Sequence, residues 1–115
     1  MKIAPRHVRA AYELFRALPP YDRWRLPKPH KVRFSVYANG REYGRYEYDG
    51  RHHIKISRRN VRSFHALAIT MAHELIHLRQ QLAGTDSDES QHNREFVKLA
   101  KQACRALGFE SAGFV

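Results

Sequence analysis

The chain has a single cysteine, Cys104, among its 115 residues. An internal disulfide therefore cannot form, which favours a reducing, cytoplasmic setting. No apolar run approaches the ~20 residues of a membrane span, so an integral membrane protein is excluded. The opening stretch MKIAPRHVRAAYELF lacks the apolar segment of a secretory signal. Internal repeats and low-complexity segments are missing as well. Acidic residues are scarce, with 11 Asp+Glu against 21 Lys+Arg and a formal charge of +10. A hydrophobic content of 43% nonetheless excludes a disordered polycation. The length suits one domain, residues 1–115, able to bury a core without disulfide staples.

The positive charge is concentrated. Residues 23–62 hold twelve Lys/Arg against three acids, Glu42, Glu47 and Asp49. Arginine outnumbers lysine 15 to 6, and its planar fork suits bidentate phosphate contacts. This stretch reads as a surface for DNA or another polyanion. The plainer alternative is a solvated face whose arginines pair locally with Glu and Tyr.

Residues 5–18 predict a first helix, with Pro5 at its first position and Val8, Ala11, Tyr12, Phe15 and Leu18 at 3–4 spacing. Pro19-Pro20 end it, and a Pro-rich loop over 19–30 tucks Trp24 and Leu26 against the core. Alternation then predicts three strands, at 31–38, 41–48 and His52–Ser57. Asn39-Gly40 and Asp49-Gly50 read as hairpin turns, giving an antiparallel meander with a basic, tyrosine-rich outer face. A long helix is expected from an Asn60 cap to about Ala83, stopped by Gly84. Its core face would be Phe64, Ala68, Met71, Leu75, Leu78 and Leu82. After an acidic turn, Thr85–Glu89, a last helix runs from about Ser90 to Leu107, with Phe96, Leu99, Ala100, Ala103 and Leu107 inward. The fold class is α+β.

The long helix contains Ala72-His73-Glu74-Leu75-Ile76-His77-Leu78. Two histidines four apart stand one turn above each other, so their imidazoles can converge on one cation. Zinc accepts such nitrogens at about 2.0–2.1 Å and needs a third protein ligand beside water for catalysis. Glu74 is placed to reach that water instead of the metal, which is the His-Glu-x-x-His arrangement of zinc hydrolases. The third ligand should come from the next element, where His92, Glu95 and Glu89 are all within reach. Two partnered histidines on an amphipathic helix would be the alternative without a metal.

The order of three strands, a HELIH helix and then His92-Asn93-Arg94-Glu95-Phe96 resembles the SprT-like (Spartan-type) zinc metallopeptidase domain. The resemblance covers roughly residues 30–108. It implies a zincin-like fold, with His73, His77 and His92 as zinc ligands and Glu74 as the catalytic acid. Family members often continue into a cysteine zinc ribbon. With only Cys104, this chain resembles a short stand-alone form without that ribbon.

The expected function is that of a hydrolase, a zinc metalloprotease cleaving a protein or peptide substrate by metal-activated water. Glu74 would act as general base and then general acid. Substrate backbone would add to an exposed strand edge, for which Ile54–Ser57, just before the helix, is the first choice. Tyr43, Tyr46, Tyr48, His52 and His53 are all possible oxyanion donors. Association with DNA through residues 23–62 would direct the enzyme to nucleic-acid-bound proteins. Two other readings remain: a nucleic-acid-binding module with a structural zinc, and a zinc amidase for a non-protein substrate.

Overall fold

The computed structural model describes residues 1–85 and 92–110. Helix α1 spans Pro5–Arg16 and buries Val8, Ala11, Tyr12 and Phe15, the stripe that its spacing predicts. Ala4 has no capping side chain, and the His7 ring takes over by accepting the Ala4 amide through Nδ1 at 2.9 Å. The loop that follows is tied down through three of its carbonyls. Arg79 donates to Trp24 O at 3.0 Å, Arg16 to Leu26 O at 3.1 Å and Tyr12 to Pro27 O at 2.5 Å. Trp24 and Leu26 are buried, as the sequence suggests.

The strands are β1 (Val32–Tyr37), β2 (Gly44–Tyr48) and β3 (His52–Ser57). Their order is β1-β3-β2, with β1 parallel and β2 antiparallel to β3. The sheet is therefore mixed, and the expected antiparallel meander is wrong. Only the second turn, around Gly50 at φ +97°, closes a hairpin. The physical reason lies in β3: Ile54 and Ile56 are fully buried, so this strand takes the centre. Strand β2, with Arg45, Glu47 and an exposed Tyr48, is suited to an edge.

Segment 38–43 does not turn back on β1 but wraps the C-terminal end of β3. Ser57 donates its amide to Tyr43 O at 2.8 Å and its hydroxyl to Asn39 O at 2.5 Å. Asn60 donates to both Gly40 O and Glu42 O at 2.9 Å. Asn60 is thus a clamp on this loop and not the helix cap.

Helix α2 spans Phe64–Ala83, capped by Ser63, which accepts the Ala66 amide at 3.0 Å. It ends at Gly84 in the left-handed region, φ +71°. The expected single core stripe is also corrected. Phe64 (59% exposed) and Leu82 (43%) project from the ends, while Leu67, Ala72 and Ile76 are buried. Packed against the sheet, α1 and α3 at once, α2 is enclosed on more than one face. Helix α3 spans Arg94–Leu107, beginning later than expected, with Asn93 as its cap and Gly108 as its stop. Ser90 and Glu89 lie outside the described residues. Leu99, Ala100, Ala103 and Cys104 complete a core shared by all these elements. Among the described residues no helix is long and apolar enough to cross a membrane.

Strand register also redistributes the tyrosines. Tyr46 aligns with Ile54 and Phe34, and Tyr48 with His52 and Val32, so both share the core-ward face. The outer face carries Arg33, Ser35, Tyr37, His53, Lys55, Arg45 and Glu47. It is basic, but Tyr37 is its tyrosine, and Glu47 neutralises part of it by ion pairs to Lys55 (3.0 Å) and Arg45 (3.4 Å).

Candidate metal centre

His73 and His77 sit one turn apart on α2, with ring centroids 5.2 Å from each other. His92 arrives from the turn just before α3, 4.9 Å from His73 and 5.2 Å from His77. One nitrogen from each ring lies within 4.8 Å of the other two. Glu95, the alternative third donor, is not part of this cluster, and Glu89 is outside the described residues.

Phe96 forms the floor of the site. Its ring is fully buried and stacks on His92 at 4.3 Å and 13°, with His77 at 4.7 Å and His73 at 5.0 Å. The His-x-x-x-Phe spacing has a local cause. Asn93 between them caps α3 by accepting the Phe96 amide at 3.0 Å, which folds the first turn back beneath His92.

The donor set fits a zinc-type ion. Tetrahedral ligation at ~2.05 Å puts donor nitrogens about 3.4 Å apart, so modest ring rotations close the present spacing. Burial, with His73 and His92 adding to it, lowers the His77 pKa to about 3. Burial lowers that of His92 as well. His77 and His92 thus favour the neutral form that binds metal.

Glu74 is 5% exposed and accepts the backbone N–H of Tyr46. Two register facts explain this contact. Ser57 N–H bonds to Tyr43 O, so the pairs Tyr43/Ser57, Arg45/Lys55 and Glu47/His53 carry the ladder bonds. The amides of Gly44, Tyr46 and Tyr48 therefore point away from β3, towards the open edge. Gly44 also lets α2 approach: a Cβ there would meet Thr70 Cγ2 at 2.7 Å. One helical turn on from Thr70 is Glu74, and two strand residues on from Gly44 is Tyr46.

Burial raises the Glu74 carboxyl to about 8; Glu42 adds to this, while the Tyr46 amide and Arg45 oppose it. Glu42 is itself held by Arg45 at 2.8 Å and by the Tyr37 hydroxyl at 3.2 Å.

The five possible oxyanion donors are not gathered at the imidazoles by any described contact. Tyr46 OH and His52 Nδ1 bond to each other, and His53 Nε2 pairs with Ser35 Oγ at 2.8 Å. Tyr43 and Tyr48 are exposed. Strand β3 is flanked on both sides, so the expected substrate edge at Ile54–Ser57 does not exist. The open edge beside Glu74 is β2. Sequence reasoning also passed over Gln80, although it continues the 4–3 spacing of His73 and His77 along the same face of α2.

The family model of the SprT-like family matches residues 11–112. The chain belongs to the SprT-like family. No curated protein and no solved structure matches it significantly. Membership of the SprT-like family points to a metallopeptidase-like domain, and the three histidines form a possible metal site within it.

Proposed function

We propose that this SprT-like domain is a zinc-dependent endopeptidase with a zincin-like site. His73, His77 and His92 hold the metal, and Glu74 is the general base and then the general acid. The observation that carries this reading is the convergence of three imidazoles within 4.8 Å next to a buried glutamate anchored on the open edge of β2. A purely structural site has no use for such a carboxylate.

Zinc bound there supplies Lewis acidity, polarising a carbonyl and acidifying a water towards pKa ~7, and its charge favours ionised Glu74. The Tyr46 amide fixes the Glu74 carboxylate in one orientation. Its exclusion from solvent keeps it basic enough to take a proton from water near neutral pH. The same carboxyl then surrenders that proton to the leaving amine. An extended substrate lies along the β2 edge through main-chain hydrogen bonds, so sequence selectivity is broad.

The test is Glu74→Gln, which keeps the acceptor for Tyr46 N–H but cannot move a proton. We expect bound zinc at the wild-type stoichiometry and peptide cleavage lower by ~10²–10⁴-fold. Undiminished cleavage would sink the assignment.

A second element of the proposal is direction to nucleic-acid-bound proteins by the basic stretch. It is favoured by a hollow of about 580 Å³ lined by Arg16, Arg25, Lys28, His30 and Lys31, with no acidic residue. Cleavage of a DNA-binding protein should rise when single-stranded DNA is added, and the gain should shrink with salt.

A further inference from the structure

Gln80 is completely buried, three residues beyond His77 on α2. Its Nε2 donates to Asn93 Oδ1 at 2.8 Å. The orientation of both amides is dictated by backbone. Asn93 Oδ1 must accept, because the Phe96 amide already points at it at 3.0 Å. Asn93 Nδ2 must donate, because it faces Thr85 O at 2.9 Å. Gln80 can then present only its nitrogen to Asn93. Its Oε1 is left on the other side, where no described residue donates to it.

A buried amide whose oxygen has no donor among the described residues is a poor choice for holding a core together, since an apolar side chain of similar size would avoid the desolvation cost. Its position offers another use. Helix α2 carries His73 and His77, while His92 sits in an exposed turn whose neighbour is Asn93. We propose that Gln80 is a positioning residue for the metal centre: its bond to Asn93 locks the turn bearing His92 to the helix bearing the other two ligands. Asn93 is the relay. It fixes the start of α3 beneath His92 and ties the turn back to Thr85, and Phe96 then sets the ring plane. Without Gln80, His92 keeps its stacking on Phe96 but loses its registry against α2.

This inference rests on the reading of the three histidines as metal ligands, and the experiment separates the two. Zinc affinity is measured by chelator competition for the wild type, Gln80→Leu, His92→Ala and the double variant, with folding checked by circular dichroism. Gln80→Leu should fold with an unchanged or higher melting temperature when metal-free, yet bind zinc ~10–100-fold more weakly. In the His92→Ala background the same substitution should change affinity by less than about twofold, because the residue acts through His92. If Gln80→Leu does not fold, Asn93→Ser carries the test. Serine still caps α3 but is too short to reach Gln80, and the same loss with the same dependence on His92 is expected. Wild-type affinity in the folded variant, or an equal loss in both backgrounds, overturns the role of Gln80. A wild type that binds no zinc, or binds it indifferently to His92→Ala, overturns the metal reading and this inference with it.

Discussion

Glu74 shows how one side chain ties stability to chemistry. Its folded-state pKa of about 8 lies above the ordinary carboxylate value, so it contributes stability below pH ~4.5 that is lost as pH rises through 8. Metal-free Glu74→Gln should therefore outlast the wild type in urea at pH 9 by up to a few kcal/mol, and by much less at pH 4.5. His77 has the opposite sign. With its pKa lowered to about 3, metal-free stability should fall as pH drops from about 6.5 towards 3. Urea midpoints across pH 3–7 for the wild type and His77→Leu check this, the variant showing the shallower slope. At this scale the sequence was informative where chemistry is local. The His73/His77 spacing needs only a helix to converge. The Tyr46 contact to Glu74 needs the strand order, and the Gln80 bond needs the α3 cap, so neither could be read from residue spacing alone.

Elements meet here at one tight crossing, Gly44 of β2 under Thr70 of α2. Gly44→Ala should destabilise the fold by roughly 1–3 kcal/mol, because the new methyl confronts Thr70 Cγ2 at 2.7 Å and Lys55 O at 3.1 Å. Thr70→Ser removes the first of these contacts while keeping the hydroxyl that donates to Ala66 O at 2.8 Å. The double variant should recover more than half of the loss, as read from denaturation midpoints. Helix ends were legible where glycine in the left-handed region sets them, at Gly84 and Gly108. The start of α1 at Pro5 was legible too, but those of α2 and α3 were not. Asn60 and Ser63 are both good caps, and only the Gly40 and Glu42 carbonyls decide that Asn60 is engaged elsewhere. Strand extents followed alternation, but pairing did not. The hairpin propensity of Asn39-Gly40 is a weak local preference beside the burial of Ile54 and Ile56 at the sheet centre.

For the molecule as a whole, metal and fold should be linked. A ligand that binds only the folded chain raises its stability by an amount set by concentration over dissociation constant. Zinc at 100-fold excess over its dissociation constant should add about 2.7 kcal/mol. Chelation should remove this increment, and at pH 5 most of it should survive, because burial holds the His77 pKa at about 3 and keeps that ring in the neutral, metal-binding form. Thermal melts with zinc and with chelator at pH 7.5 and 5 measure both effects. The concentration of charge in residues 23–62 was plain from composition. Its distribution between an outer sheet face partly neutralised by Glu47 and an acid-free hollow beside α1 became visible only in three dimensions.

The central strand is the last of the three to be synthesised, and β1 and β2 make no ladder with each other. A nascent chain that has emerged only as far as residue 50 thus holds two strands with nothing to pair with. Both ladders run through His52–Ser57, so neither can form before that strand is available. The residues that clamp the 38–43 loop, Ser57 and Asn60, lie at and just after the end of the same strand, on the way to the histidine-bearing helix. The three imidazoles follow later in the chain than the central strand, so a chain cut short before residue 52 holds neither the ladders nor the metal ligands.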